Sequence, residues 1–344
     1  MYPKMPGRAR RSAAGQVTLS DVAAHVGVSS ITVSRALRTP EKVSEALRAR
    51  IEEAVQTLGY RPNHAARALA SARSHTVVVL VPSLANEVFV DTLSGIYETL
   101  HPKGYQILIG NTRYNTEEEE RLLSAYLAHN PDGILITGFD HTPAVEAQLA
   151  NSRCPVVHMM ELDERKERLC VGFSQFECGK AMTRHLLDKG YTRIGFMAVQ
   201  GDARTLKRWE GYRAAMQEAG LYDETREIYV PDSSSVGLGA QLTAQLLERA
   251  PDLDALFCCN DDLAYGALFH CQRQQISVPG RLAIGGFNDL AASAWTVPSL
   301  TSIATPRHEI GQRAATMFLQ QLDGQIAPGT AYDVGFELVA RESS

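Results

Sequence analysis

The sequence predicts an α/β protein in which a small helical head precedes a larger body of two parallel β-sheets. Near the N-terminus, short helical segments each show one apolar face. From Thr76 onward, short apolar runs alternate with amphipathic stretches, an order typical of parallel strands covered by helices on both faces. The alternation of apolar and amphipathic stretches is similar in both halves of that region, which predicts two such sheets with a cleft between them.

Residues 18–37 are the first predicted element, a pair of short helices joined by a tight turn. The first helix has one apolar stripe at i, i+3, i+4 and i+7, formed by Leu19, Val22, Ala23 and Val26. Ser20 and Asp21 are placed to cap its start. Gly27 can end it, because only glycine adopts the left-handed backbone at little cost.

The second helix of the pair can be capped by Ser29 or Ser30. Its predicted inner face consists of Val33, Ala36 and Leu37. Its predicted outer face consists of Ser30, Ile31, Ser34 and Arg35. A pair of this size fits the major groove of DNA, so the outer residues are expected to meet bases and phosphates. An ordinary helical hairpin is the alternative interpretation.

A third helix is predicted from about Ser44 to Leu58, where an apolar stripe ends at Gly59. The stripe consists of Leu47, Ile51, Ala54, Val55 and Leu58. We expect the three helices to share one small core.

The charge distribution favours DNA binding over a plain hairpin. Residues 1–73 contain 12 Lys and Arg against 5 Asp and Glu, whereas the rest of the chain contains 22 against 34. The net charge is therefore +7 in the first part and -12 in the second, within a total of -5. Positive charge concentrated in the first fifth of a chain predicts contact with a polyanion.

Two segments beside the helices are predicted to lack a stable fold of their own. Residues 1–16 are predicted to be a disordered basic tail, and residues 61–74 a linker that orders only when something holds it.

The body contains the remaining predicted elements. The predicted strands are 77–81, 106–109, 133–137, 156–160, 193–199, 228–230, 255–259 and 282–286. The predicted helices between them include 90–100, 117–129, 179–189, 208–219, 239–249 and 263–274. Ligands of such sheets bind beyond the carboxyl ends of the strands, so the loops there are candidate sites.

Four of these loops are rich in amides, carboxylates and guanidinium groups. They are residues 82–86, residues 201–204 with Arg208, residues 260–262 and residues 287–289. Such groups suit a small polyhydroxylated ligand, and Arg204 or Arg208 could hold a carboxylate through two hydrogen bonds. For single residues the alternatives are structural: Asp261 could cap the next helix, and Arg208 could pair on its surface with Glu210 or a neighbour.

Several classes of protein are disfavoured because the sequence lacks the patterns that are typical of them. The longest apolar runs are too short to cross a bilayer and no signal peptide is evident, which predicts a cytoplasmic protein. The six cysteines form no CxxC pair and are expected to be buried thiols, and the ten histidines show no metal-binding spacing. No GxGxxG, GxxxxGK[ST] or GxSxG motif occurs, so we expect neither an enzyme nor a cofactor.

Beyond these patterns, the chain resembles the lactose/galactose repressor (LacI/GalR) family over nearly its whole length. The resemblance is carried by residues 18–23, 27–29, 32–35 and 58–63. Within that family the chain is similar to gluconate-operon repressors, through residues 43–48, 81–84, 171–173, 257–264 and 271–273.

The resemblance implies a helix-turn-helix DNA-binding head, a hinge helix and a two-lobed core like that of periplasmic binding proteins. The implied domains are a tail at 1–16, a DNA-binding domain at 17–62, a hinge at 63–75 and a core at 76–344. Within the core, one subdomain comprises about 76–170 with 304–326, and the other about 171–303 with 327–344.

The resemblance also implies roles for residues of the head. Ser30, Ile31 and Arg35 would face bases in the major groove. Thr18, Ser29, Thr32, Ser34 and Ser44 would contact phosphates. The hinge would contribute Asn63, His64, Ala66 and Leu69, with Leu69 as the wedge that opens the minor groove. Ile31 stands where the family often has a polar residue, so a contact with a thymine methyl is expected in place of a hydrogen bond.

The implied effector-binding residues are Phe89, Arg204, Arg208, Asn260 and Asn288. The family often has aspartate where this chain has Asn288, and a neutral amide suits a ligand that carries its own negative charge. The expected function is that of a homodimeric repressor that binds a pseudo-palindromic operator and is released by gluconate. Alternative ligands are 2-ketogluconate, 6-phosphogluconate and a neutral sugar. Alternatives from other classes are a solute-binding transport receptor and a carbohydrate enzyme such as a sugar-acid kinase or dehydrogenase.

Overall fold

A computed structural model describes residues 17–61 and 73–344 of the chain. The chain divides into two compact units, Met1–Ser74 and His75–Ser344. The predicted tail at 1–16 and the predicted hinge residues Asn63, His64, Ala66 and Leu69 lie outside the described residues.

The described residues of the first unit form three α-helices: α1 (Leu19–Val26), α2 (Ser30–Arg38) and α3 (Glu45–Leu58). Thr18, rather than Ser20, caps α1, and Asp21 completes a capping box by accepting a hydrogen bond from the Thr18 amide at 2.8 Å. As predicted, α1 and α3 end at glycines in the left-handed conformation, Gly27 and Gly59.

The helices of the head share one apolar core. Its buried members are Val22, Ala23, Val26, Val33, Ala36, Ile51 and Ala54. Leu37 was predicted to belong to this core, but 37% of its surface is exposed. The correction follows from helix geometry, since Leu37 lies about 100° around the axis from Ala36 and beyond the edge of the inward face. Arg50 of α3 donates to the Val26 carbonyl at 2.8 Å and so joins α3 to the end of α1.

The second unit contains two six-stranded sheets among the described residues. The strands of the first are β1 (Thr76–Val81), β2 (Gln106–Asn111), β3 (Gly133–Thr137), β4 (Val156–Met159), β5 (Leu169–Gly172) and β11 (Ala331–Asp333). The strands of the second are β6 (Ile194–Val199), β7 (Glu227–Val230), β8 (Ala255–Cys258), β9 (Ala283–Asn288), β10 (Thr301–Ala304) and β12 (Glu337–Val339). The spatial orders are β11-β5-β4-β3-β1-β2 and β12-β10-β9-β8-β6-β7, and every pairing is parallel except β10 with β12. We call the parts built on these sheets the first and second lobes.

The helices of this unit cover both sheets. They are α4 (Glu87–Leu100), α5 (Thr116–Leu127), α6 (Pro143–Ala150), α7 (Gln175–Asp188), α8 (Ala203–Glu218), α9 (Val236–Arg249), α10 (Asp261–Arg273) and α11 (Arg307–Leu322). Helices α7 and α8 pack closely because Gly179 and Gly211 face the neighbouring backbone. A Cβ atom at Gly179 would overlap the carbonyl of Arg208, so this close packing sets the position of α8.

Four strands were not predicted: β5, β10, β11 and β12. They are three or four residues long and lie where the chain crosses between the lobes. All three residues of β11 are exposed, so no apolar pattern marks that strand. The predicted subdomain boundaries need three corrections as a result. Residues 171–172 and 331–333 belong to the first lobe, because β5 and β11 are strands of the first sheet. Ala304 belongs to the second lobe, because it ends β10 of the second sheet.

As expected from the sequence, the cysteines are free thiols, and all but the partly buried Cys154 are buried. No helix of residues 17–61 or 73–344 is long and apolar enough to cross a membrane.

Candidate DNA-binding and effector sites

Helix α2 presents the candidate DNA-reading surface. Ile31 is 71% exposed and Arg35 is exposed on the same helix, as their predicted outward positions require. Ser29 caps the helix, since its hydroxyl accepts a hydrogen bond from the Thr32 amide at 3.2 Å. The first turn of α2 carries no acidic residue, unlike those of α1 and α3. No carboxylate in that turn therefore repels a phosphate from the positive end of the helix dipole.

Several of the predicted DNA-contacting hydroxyls have hydrogen-bond partners within the head. The Thr18 hydroxyl donates to Asp21 at 2.7 Å, and the hydroxyls of Ser29 and Thr32 are 2.9 Å apart. Ser30 lies 3.4 Å from the Ser20 hydroxyl. Ser44 is exposed at the start of α3 and makes no side-chain cap there. Direct contact of these residues with DNA stays a prediction.

A cavity lies between the lobes, at the carboxyl ends of their strands. It contains about 520 Å³ of empty space, part of it open to solvent. All five predicted effector residues line it, from both lobes: Phe89, Arg204, Arg208, Asn260 and Asn288. The structure therefore brings together residues that are up to 199 positions apart in the chain, although their role in binding stays a prediction.

Arg208 on α8 is a buried cation without an ion-pair partner among the described residues. Its side chain donates from Nη2 to the Thr205 hydroxyl at 2.9 Å, and its guanidinium carbon lies 4.2 Å from the centre of the Phe287 ring. Its Nε is buried and has no hydrogen-bond partner in the part of the chain that the structure describes. The alternative pairing with Glu210 is wrong. A buried donor of this kind gains most from a ligand carboxylate, because an unpaired buried charge is costly.

Arg204, one turn earlier on α8, already has carboxylate partners. Its Nη2 lies 3.1 Å from Asp202, and its Nη1 lies 3.7 Å from Asp140 and 3.9 Å from Glu161. Burial by itself lowers the pKa of this guanidinium, but the three carboxylates raise it above its ordinary value. Asp140 and Glu161 belong to the first lobe and Arg204 to the second, so Arg204 joins the lobes.

Asp202 stays charged beside these arginines. Burial raises the pKa of its carboxyl, but Arg204 and Arg208 outweigh burial and hold that pKa below its usual value. Lys207 reinforces the contact between the lobes with a 2.7 Å ion pair to Glu161.

Asn260 and Asn288 are positioned by the second lobe. Asn260 caps α10, since its Oδ1 accepts from the Leu263 amide at 3.1 Å. Asn288 ends β9 with a φ of 106°, a conformation that asparagine tolerates better than most residues. Its carbonyl accepts a hydrogen bond from Arg307, which also pairs with Asp91 of α4 at 3.0 Å.

Family models of known proteins match residues of both units. The model of bacterial regulatory proteins of the lacI family matches residues 18–63, and the model of the periplasmic binding protein-like domain matches residues 183–344. The HTH-type transcriptional regulator GntR of Pseudomonas aeruginosa is 49% identical over 330 residues, which are 96% of each chain. The chain belongs to the LacI family.

Solved structures agree with this assignment. The transcription regulator GntR from Chromobacterium violaceum is 51% identical, with a TM-score of 0.76 over 78% of this chain and 99% of that one. The transcriptional regulator CelR, solved as a complex with cellobiose, is 27% identical, with a TM-score of 0.71 over 96% of this chain and 100% of that one. As a LacI-family regulator, this protein binds DNA through its helix-turn-helix head, and an ordinary helical hairpin is excluded for residues 18–37.

Sequence reasoning missed five polar residues that line the cavity of this LacI-family regulator: Tyr114, Gln175, Gln200, Thr205 and Thr305. Gln175 donates to the Met160 carbonyl at 3.0 Å, while its Oε1 is buried without a hydrogen-bond partner in residues 17–61 and 73–344. Within the same residues, the Thr305 hydroxyl is buried without a partner as well. Thr305 directly follows β10 and Gln175 closely follows β5, two strands that the sequence pattern does not predict.

Asp261 is not the helix cap that the sequence allowed. Asn260 has that role, and Asp261 is fully buried behind it. Its carboxylate accepts hydrogen bonds from the Ser302 hydroxyl and the Leu290 amide at 2.7 Å and from the Ser293 hydroxyl at 3.0 Å. Asp261 thus holds α10, β10 and the segment after β9 together behind the cavity.

Proposed function

We propose that this protein is a homodimeric repressor that binds a pseudo-palindromic operator and is released by gluconate. The observation that carries the choice of ligand is Arg208, a buried guanidinium without an ion-pair partner among the described residues in a polar cavity. A ligand carboxylate would satisfy it.

The rest of the cavity favours a polyhydroxylated acid. Asn288 is neutral, so no carboxylate at this position repels an anionic ligand. The unpartnered Gln175 Oε1 accepts hydrogen bonds, and the Thr305 hydroxyl donates or accepts them. These groups match the hydroxyls of a sugar acid, and the cellobiose complex of CelR supports a carbohydrate ligand in this fold.

Exposed apolar side chains support a second copy of the chain as partner. Trp295 and Val297 are 85% and 86% exposed and lie on the same loop. Large apolar side chains exposed together are typical of a surface that a partner covers. A dimer also places two heads on the two halves of a pseudo-palindrome.

Titration of the operator complex with gluconate tests this proposal. The operator is first selected from random duplexes, and we expect two chains per duplex. Saturating gluconate is then expected to weaken operator binding by about 1–3 kcal/mol or more, the usual size of allosteric coupling. Parallel titrations use 2-ketogluconate, 6-phosphogluconate and glucose. Unchanged operator affinity in saturating gluconate would remove gluconate as the inducer, and one chain per duplex would contradict the dimer.

Replacing Arg35 with alanine is expected to weaken operator binding by about 1–3 kcal/mol and to relax the preference at one base position. The reason is that a guanidinium on α2 can form two hydrogen bonds with a guanine edge. Dissociation constants are compared for the operator, its single-base variants and a scrambled duplex at one salt concentration. The matched control is Arg48→Ala on α3, where Arg48 pairs with Glu52 at 3.5 Å. Equal weakening on operator and scrambled duplex would show that Arg35 contacts only phosphate.

A further inference from the structure

The cleft between the lobes contains two more cavities beside the proposed effector cavity. A lateral cavity of about 610 Å³ lies at the carboxyl ends of β1, β2 and β3, lined by Thr112, Thr116 and Thr137. An outer cavity of about 780 Å³ is lined by Ser83, Asn111 and Ser234. Both volumes include open solvent. The effector cavity is thus one of three adjoining spaces.

Among the described residues, only Tyr114 and Gln200 line all three cavities. Tyr114 follows β2 in the first lobe, and Gln200 follows β6 in the second lobe. The two side chains therefore stand where the three spaces meet, one from each side of the cleft.

The backbone at both positions is left-handed. Arg113 and Tyr114 have φ values of 54° and 55°, and Gln200 has a φ of 66°. Residues other than glycine adopt this conformation at a cost, and they keep it only where the surrounding structure holds them. Both side chains are thus placed by sharp turns at strand ends.

The Tyr114 side chain lies among the charged residues of the opposite lobe. Its ring packs against the core of the body. Burial raises the pKa of its phenol to about 12, with Asp202 raising it and Arg204 and Arg208 lowering it. A first-lobe ring therefore borders the two arginines that the second lobe places in the effector cavity.

We propose that Tyr114, with Gln200 opposite, is a partition that determines ligand length: it closes the effector cavity around a single sugar acid and excludes acids extended by a second sugar. This inference rests on the proposed function, because it assumes an acid anchored at Arg208. A longer ligand anchored there would extend into the lateral or outer cavity past Tyr114 and Gln200, the two described residues that line all three cavities.

Binding of gluconate and lactobionate, a gluconate extended by a galactose, tests the partition. Calorimetry is performed on the full chain as wild type, Tyr114→Ala and Tyr114→Phe. We expect the ratio of lactobionate affinity to gluconate affinity to rise at least about tenfold in Tyr114→Ala, the size of effect that one steric obstacle in a pocket can have. Tyr114→Phe keeps the ring, so its ratio is expected to stay at the wild-type value.

The outcomes separate this inference from the proposed function. An unchanged ratio in Tyr114→Ala, or an equal rise in Tyr114→Phe, would overturn the partition. Should Tyr114→Ala fail to fold, Gln200→Ala tests the partition from the opposite lobe, with the same rise in the ratio expected. A wild-type protein that binds no gluconate would contradict the proposed ligand. The partition would then be judged by whether Tyr114→Ala gains lactobionate binding, and no gain would overturn it.

Discussion

Replacing Arg208 with alanine is expected to weaken gluconate binding by about 2–4 kcal/mol, roughly 30- to 1,000-fold. The change removes the buried cation that is free to pair with the ligand carboxylate, and it leaves that carboxylate without a charged partner. Arg204 does not replace it, because its guanidinium already lies 3.1 Å from Asp202. Calorimetric titration with gluconate measures the effect.

The matched control for this variant is Arg184→Ala on the neighbouring helix α7. Arg184 is an exposed arginine that pairs with Glu218 at 3.0 Å and lies outside the cavity lining. Exposed pairs contribute about 0–1 kcal/mol, so gluconate affinity is expected to stay near the wild-type value. Both variants should bind operator like the wild type when gluconate is absent. A Tm equal to that of the wild type together with unchanged gluconate affinity in Arg208→Ala would contradict the assigned role of Arg208.

Replacing Ile51 with alanine is expected to abolish operator binding while gluconate binding is retained. Ile51 is fully buried in the core of the head, and truncation of such a side chain costs about 2–5 kcal/mol. A domain of the size of residues 17–61 has a total stability of only about 2–7 kcal/mol, so the head is expected to unfold. The body forms a separate compact unit and has its own core. Operator affinity and gluconate affinity are measured on the same preparation.

Gln56→Ala on the same helix is the control for Ile51→Ala. Gln56 is exposed, so its truncation is expected to change stability by no more than about 0.5 kcal/mol and to preserve operator binding. Operator binding at the wild-type level in Ile51→Ala would show that the head tolerates the lost side chain. Loss of gluconate binding as well would show that the body depends on the fold of the head.

Much of the head was predictable because its information is local. The apolar stripe of α1, the ends of α1 and α3 at glycines, and the outward positions of Ile31 and Arg35 depend on residues within a few turns of one another. The prediction of the buried face failed at the edge of the apolar pattern of α2. Leu37 continues an apolar series in the sequence, yet it lies beyond the face that α1 and α3 cover.

The effector cavity was predictable in part, for a different reason. Loops after parallel strands meet at one edge of a sheet, so strands predicted from apolar runs also locate the residues that follow them. This reasoning found Arg204, Arg208, Asn260 and Asn288. It could not find Thr305, because four residues of β10 show no pattern that distinguishes a strand.

Sequence alone determined the helices of the head and the central strands of the body. It also determined the family and the arginines that line the cavity. Only the tertiary structure decided which of these groups have partners. Arg204 and Arg208 are alike in the sequence, but carboxylates from the first lobe reach Arg204 and none lies within ion-pair distance of Arg208 among the described residues. The physical reason is that ion pairing and burial depend on distances between segments far apart in the chain, and these distances exist only when both lobes have folded.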